Sequence, residues 1–171
     1  MRTYVVKILG LVCFFISYMA ASQTCLPDFD ADLTVDEFVD NADGTVTDES
    51  LGLVWMRCSL GQIWENETCT GDANELTWQQ ALQAAHGYEY AGQLGWRVPN
   101  IKELASLTER SCVRPAINEL FFPNTYSDDY WTSTPSIVDP KRAWVIAFFN
   151  SSNSLKDKNL FVFTRLVKTA D

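Results

Sequence analysis

Histidine is almost absent from this sequence: His86 is the only one. A lone histidine leaves no partner for a catalytic zinc site, and no Cys-x-x-Cys spacing stands in for one. There is also no glycine-rich phosphate loop and no Gly-x-Ser-x-Gly nucleophile elbow. Positive charge is scarce, with 13 Lys and Arg against 22 Asp and Glu and a net charge of −9. Nucleic-acid affinity comes largely from neutralised phosphates, so a chain this acidic is excluded as a DNA or RNA clamp. Eight glycines and six prolines exclude a collagenous or low-complexity chain. The expectation is a protein that is not an enzyme and has no metal, no cofactor and no nucleic-acid partner.

Apolar residues are plentiful at 47%, and six Trp, six Tyr and ten Phe supply a core for one domain in 171 residues. The first 22 residues differ from the rest. Arg2 and Lys7 form a short positive head, Ile8 to Met19 an apolar run, and Ala20-Ala21-Ser22 a small-residue end. That layout predicts a signal peptide over residues 1–22, with no membrane span once it is removed. Cleavage there leaves 11 basic against 22 acidic residues, a net charge of −11, and removes Cys13. Four cysteines then remain, Cys25, Cys58, Cys69 and Cys112, with three possible pairings. Cys58 and Cys69 flank a short polar loop and are the natural local pair, so Cys25–Cys112 follows. The expected location is therefore secreted, periplasmic or cell-surface.

Residues 23–37 read as an acidic arm tied down at Cys25, and residues 38–171 as the domain. Asp43-Gly44 marks a turn, and Thr45-Val46-Thr47 and Leu53-Val54-Trp55-Met56 read as two hairpin-like strands. Thr77 and Gln80 form a capping signal for a first helix, with Trp78, Ala81, Leu82 and Ala85 on its apolar stripe. Gly87 ends it. Asn100 and Glu103 repeat the capping signal for a second helix carrying Ile101, Leu104 and Leu107. Strand-like runs follow at Tyr130–Thr134, Ala143–Phe149 and Leu160–Val167, separated by polar loops over 135–142 and 150–158. Strands, two helices, then strands predict an α+β domain.

Six short stretches carry a resemblance. They are Asp43-Gly44-Thr45-Val46-Thr47-Asp48, Gly52-Leu53-Val54-Trp55, Thr77-Trp78-Gln79-Gln80-Ala81-Leu82 and Gly95-Trp96-Arg97-Val98-Pro99-Asn100 with Glu103-Leu104. Tyr130-Trp131-Thr132-Ser133-Thr134 and Arg165-Leu166-Val167 complete the set. Together, over about residues 38 to 168, the chain resembles the C-terminal domain family of the Legionella collagen-like adhesin. The resemblance implies a C-type-lectin-like fold, two helices packed on small antiparallel sheets with long loops, here stapled by disulfides. It also implies a bacterial secreted or surface role, with attachment to glycans or glycosaminoglycans. This chain lacks the collagen-like repeat of the adhesin, and its acidity opposes a sulfated polyanion.

The candidate ligand-binding residues are Tyr130, Thr132 and Thr134, which alternation puts on one strand face, with Lys141 and Arg142 in the following loop. Trp96, Arg97 and Pro99 read as structural, Arg97 pairing internally to fix the entry to the second helix. Asp40–Gly44 does not satisfy the calcium-loop spacing, and calcium-lectin ligand triplets are missing. The expected function is a non-catalytic binding module of the adhesion type for a glycan or an envelope or host surface protein. The alternative is a structural or assembly protein of an envelope apparatus such as a pilus or secretion system. Oligomeric state has no signature in the sequence.

Overall fold

The structure, a computed structural model, describes residues 23–26 and 37–170. The expected signal peptide over 1–22, and residues 27–36 of the expected arm over 23–37, lie outside the described residues. The rest is mostly β, with two short helices and several small antiparallel sheets. A C-type-lectin fold is a finer statement than this architecture carries.

The Asp43-Gly44 turn leads into the expected hairpin, β3 (Thr45–Asp48) with β4 (Leu53–Met56), in the register Thr45↔Met56 to Asp48↔Leu53. Gly44 is needed for two reasons. Its φ of +87° favours glycine, and a Cβ there would lie 2.3 Å from the Tyr90 hydroxyl and 2.8 Å from the Trp64 ring. β2 (Phe38–Asp40) joins β3, and β11 (Val167–Thr169) joins β4, giving a sheet ordered β11-β4-β3-β2. A second sheet is a meander of β8 (Asp129–Pro135), β9 (Arg142–Ala147) and β10 (Ser152–Asp157), ordered β10-β9-β8.

Both helices start where capping chemistry requires. α1 (Trp78–Ala85) has the reciprocal Thr77–Gln80 box, and α2 (Ile101–Ala105) has the Asn100–Glu103 box. Each box satisfies N–H groups that the first turn leaves without partners.

Two stretches differ from the sequence expectation. Residues 150–158 are not a loop, because Ser152–Asp157 forms β10 along the whole of β9. Its polar composition reflects an outer strand, whose far side meets water rather than core. Conversely, Leu160–Val167 is not a continuous strand. It changes partner repeatedly: Val162 pairs with Leu76, Phe163 with Tyr130, and Val167 with Arg97 and Trp55. Only its last residue opens a ladder. The region between Cys58 and Cys69 also holds more than a loop, a hairpin of β5 (Ile63–Glu65) and β6 (Thr68–Thr70). Asn66 and Glu67 turn it with φ of +50° and +61°, the left-handed pair that tight hairpins use.

The core has two halves. Trp55, Leu104, Leu107, Phe122, Tyr130, Ile146 and Phe148 fill one. Met56, Ala81, Ala85, Trp96, Trp131, Val145 and Leu166 fill the other. Strands β4, β8 and β9 contribute to both, so their central residues are covered on both faces. Two buried arginines join the surrounding chain to β4. Arg57 Nε and Nη2 donate to the carbonyls of Phe121 and Leu120 at 2.8 and 2.7 Å, and its Nη1 pairs with Asp40. Arg165 Nη1 donates to the carbonyls of Met56 and Arg57, and Nη2 to Thr125 Oγ1 at 2.7 Å.

Cys58–Cys69 and Cys25–Cys112 are both bridged, the second directly across β1 (Thr24–Cys25) and β7 (Cys112–Val113). The bridges close segments of 11 and 87 residues. Chain-entropy arguments then give about 3 kcal/mol for the short one and about 4–5 kcal/mol for the long one. Replacing Cys25 and Cys112 together with alanine is expected to cost more than the same change at Cys58 and Cys69. Denaturant unfolding checks this, and a larger loss from the short bridge contradicts it.

Candidate functional site

Two of the three strand residues of the expected site are internal. Tyr130 is fully buried, its hydroxyl sharing a hydrogen bond with Ser59 Oγ at 2.7 Å and accepting from the Tyr126 N–H at 3.1 Å. Burial pushes its phenol above the ordinary range. Thr132 is equally buried and donates to the Trp144 carbonyl at 2.7 Å. Thr134 Oγ1 accepts the Ile101 N–H at 3.0 Å and so braces the first turn of α2. Tyr130 and Thr132, expected as ligand contacts, are thus packing and hydrogen-bonding groups with no solvent-facing surface, while Thr134 is half-buried. Alternation alone implies one solvent face, whereas β8 runs between the two core halves.

The loop half is exposed. Lys141 and Arg142 sit at the base of the β8–β9 connection, with Arg142 Nε 3.2 Å from Asp139 Oδ2. Lys141 lines a groove of about 380 Å³ together with Thr77, Trp78, Gln79, Lys158 and Asn159. Three distant segments build it. The Trp78 indole N–H donates to the Thr132 carbonyl at 2.8 Å, which fixes the ring against β8. The Trp78 backbone N–H donates to the Lys158 carbonyl, and the Lys158 N–H to the Lys141 carbonyl. Lys158 Nζ then lies 4.1 Å from the centre of the Trp78 ring and donates to the Pro140 carbonyl at 2.9 Å. The groove thus combines an aromatic wall, two ammonium groups, two amides and a hydroxyl. Trp78 was legible in the sequence only as a member of the α1 apolar stripe. Its second role depends on Lys158, 80 positions away, and no local signal announces it.

A larger cleft of about 540 Å³ lies between the β5–β6 hairpin and residues 114–127. Its amides hold its own walls together: Asn124 Nδ2 donates to Thr68 Oγ1 and to the Cys69 carbonyl. Burial raises the carboxyl of Glu119 there. The paired carboxylates at Asp128 and Asp129 are engaged by an ammonium, Lys156 Nζ lying 2.6 Å from Asp129 Oδ2. Among the described residues no cluster of His, Cys, Asp and Glu has metal-holding geometry.

Arg97 lies away from the groove and makes a two-pronged pair with Glu103, both contacts 2.7 Å. Glu103 also accepts the Asn100 N–H at 2.7 Å, so one carboxylate serves the ion pair and the helix cap together. Trp96 is buried, and the Pro99 carbonyl accepts the Ser133 N–H at 2.7 Å, docking the entry to α2 on β8. The hydrogen bonds from Arg97 hold the Glu103 carboxyl below its ordinary value of 4.5, outweighing the opposing effect of burial. A depressed carboxyl stabilises the fold above its unfolded value, and that stability is lost as pH falls through the folded value. Glu103→Gln is expected to lower stability at about pH 7 and to flatten its acid decline below about pH 4.5. Denaturant unfolding along a pH series measures this, and an unchanged acid limb contradicts it.

Two disulfides fit an oxidising, extracytoplasmic compartment. Among the described residues no helix is long and apolar enough to cross a membrane. No curated protein matches the chain. The family description Lcl C-terminal domain matches residues 44–168, from the glycine of the first turn to β11. That match takes in every motif from the β3–β4 hairpin to the Arg165 segment, and the chain belongs to the Lcl C-terminal domain family.

Proposed function

We propose that the protein is a secreted, periplasmic or cell-surface binding module of the attachment type, without catalytic activity, that recognises a glycan or a protein partner. The groove at Trp78 carries this reading and favours the glycan. The Trp78 indole, with Lys158 Nζ over one face at 4.1 Å, offers its remaining apolar surface to a sugar ring, while Thr77, Gln79 and Asn159 offer hydroxyl and amide groups to its hydroxyls. Lys141 and Lys158 add local positive charge that the chain as a whole lacks. A saccharide bearing a carboxylate or similar acidic group is the ligand class best matched to that set.

The alternative, an assembly protein of an envelope apparatus, draws support from β10. This six-residue strand is the outer member of its sheet, and its first three residues are exposed. A partner strand added there would use main-chain hydrogen bonds along its whole length.

A saccharide array spanning neutral and acidic glycans tests the first reading. The protein is expected to bind acidic members, and a Gln79→Ala, Lys141→Ala, Asn159→Ala triple variant to lose about tenfold or more with unchanged melting. Absence of binding across the array, or equal binding by the variant, contradicts it. Crosslinks from Ser154 to an envelope protein, with an empty array, support the alternative instead.

A further inference from the structure

The connection between β8 and β9 exposes two apolar side chains more completely than any others among the described residues. Ile137 is 99% and Val138 88% exposed. Their presentation is built by the loop itself. The Ser136 N–H donates to the Arg142 carbonyl at 2.9 Å, and the Arg142 N–H to the Asp139 carbonyl at 3.0 Å. The Asp139 N–H donates to Ser136 Oγ at 3.1 Å, and the Lys141 N–H to Asp139 Oδ1 at 3.0 Å. The polar groups of the loop thus turn inward on one another, and the two β-branched side chains are left pointing away from the protein.

Behind this tip stands a cluster of positive charge. Lys141 and Arg142 follow it after Asp139 and Pro140, and Lys158 reaches the Pro140 carbonyl of the same loop. Arg142 pairs with Asp139, and Lys141 and Lys158 lie beside it, on a chain whose net charge is −9. Trp78, beneath Lys158, adds an indole to the same side. An apolar tip backed by ammonium and guanidinium groups and an amphipathic indole reproduces the layering of a bilayer interface. There, acyl chains lie beneath anionic headgroups, and tryptophan sits at the boundary.

We propose that the Ile137–Val138 tip inserts into the surface of an anionic lipid bilayer, with Lys141, Arg142 and Lys158 contacting the headgroups. This is a peripheral contact, and it does not rest on the glycan reading of the adjoining groove. Two apolar side chains and a few cations make a weak anchor. The acidic remainder of the chain is repelled by the same membrane, so docking is oriented and salt-sensitive.

Vesicle co-sedimentation of the disulfide-bonded protein tests it, using phosphatidylcholine vesicles with and without phosphatidylglycerol. The protein is expected to sediment with the anionic vesicles and to be released by high salt. Ile137→Ser with Val138→Ser is expected to reduce binding by about tenfold or more. Lys141→Glu is expected to do the same through charge. Both sets of changes lie on exposed side chains, so unchanged melting shows that the fold is intact. No sedimentation of the unaltered protein with anionic vesicles overturns the proposal. Equal binding to both vesicle types overturns it too, as does undiminished binding by the tip variant. Lys141 is shared with the groove, so the tip variant at Ile137 and Val138 is the change that separates the membrane contact from saccharide binding.

Discussion

Arg165 is the constraint around which this fold is organised. Its guanidinium is completely buried, and its partners are neutral: carbonyls at the end of β4, the Thr125 hydroxyl, and the face of Phe122 at 4.9 Å. Burying a charge without an opposite charge is costly, and the cost is tolerable only when hydrogen bonds replace the lost water. Burial lowers its pKa to about 10, so the group is still protonated at neutral pH. The protonated fork requires the β4 carbonyls and the 122–125 segment to be in place together. Arg57 extends the arrangement, tying Leu120 and Phe121 to the same strand while its own charge is met by Asp40 and the Trp64 ring. The irregular stretch from 160 to 167 follows from this. A strand that must deliver Arg165 inward while bridging Leu76, Tyr130 and Arg97 in turn has no single partner to ladder with.

Features that depend on near neighbours were legible in the sequence. The capping boxes at Thr77 and Asn100 span three residues each, and both helices begin where those residues say. The β3–β4 hairpin is likewise set by a local turn and short β-branched runs. The disulfides were legible because setting Cys13 aside with the expected signal peptide leaves an even set with one obvious local pair. What was not legible depends on residues far apart. Tyr130 and Thr132 carry polar groups on an alternating strand, which looks like a wet face until a second core half closes over it. Asn150–Lys158 looks like a loop because an edge strand needs apolar side chains on neither margin. The groove at Trp78 exists only because α1, the β8–β9 connection and the residues after β10 converge. Of the expected ligand contacts, Lys141 alone belongs to it.

The location of positive charge reconciles the chain's acidity with the proposed role in attachment. The total charge argues against any polyanion, but the cations nearest the β8–β9 connection are gathered on one side, beside the indole and beneath the apolar tip. Glu103 and Arg97 neutralise each other elsewhere, and Lys156 is taken up by Asp129. The groove and the tip adjoin but differ in chemistry, one lined by hydrogen-bonding groups and the other by two hydrocarbon side chains. The proposed saccharide contact and the proposed lipid contact would thus lie side by side on one margin of the domain.

The most direct test of the arginine-centred account is a double-mutant cycle between Arg165→Met and Thr125→Val, read by denaturant unfolding. The two groups meet at 2.7 Å in a buried site. If the guanidinium holds the 122–125 segment on β4, the two changes are coupled by about 1 kcal/mol or more. Additive losses, with no coupling beyond error, would show that Arg165 and the segment are held independently and would contradict the account.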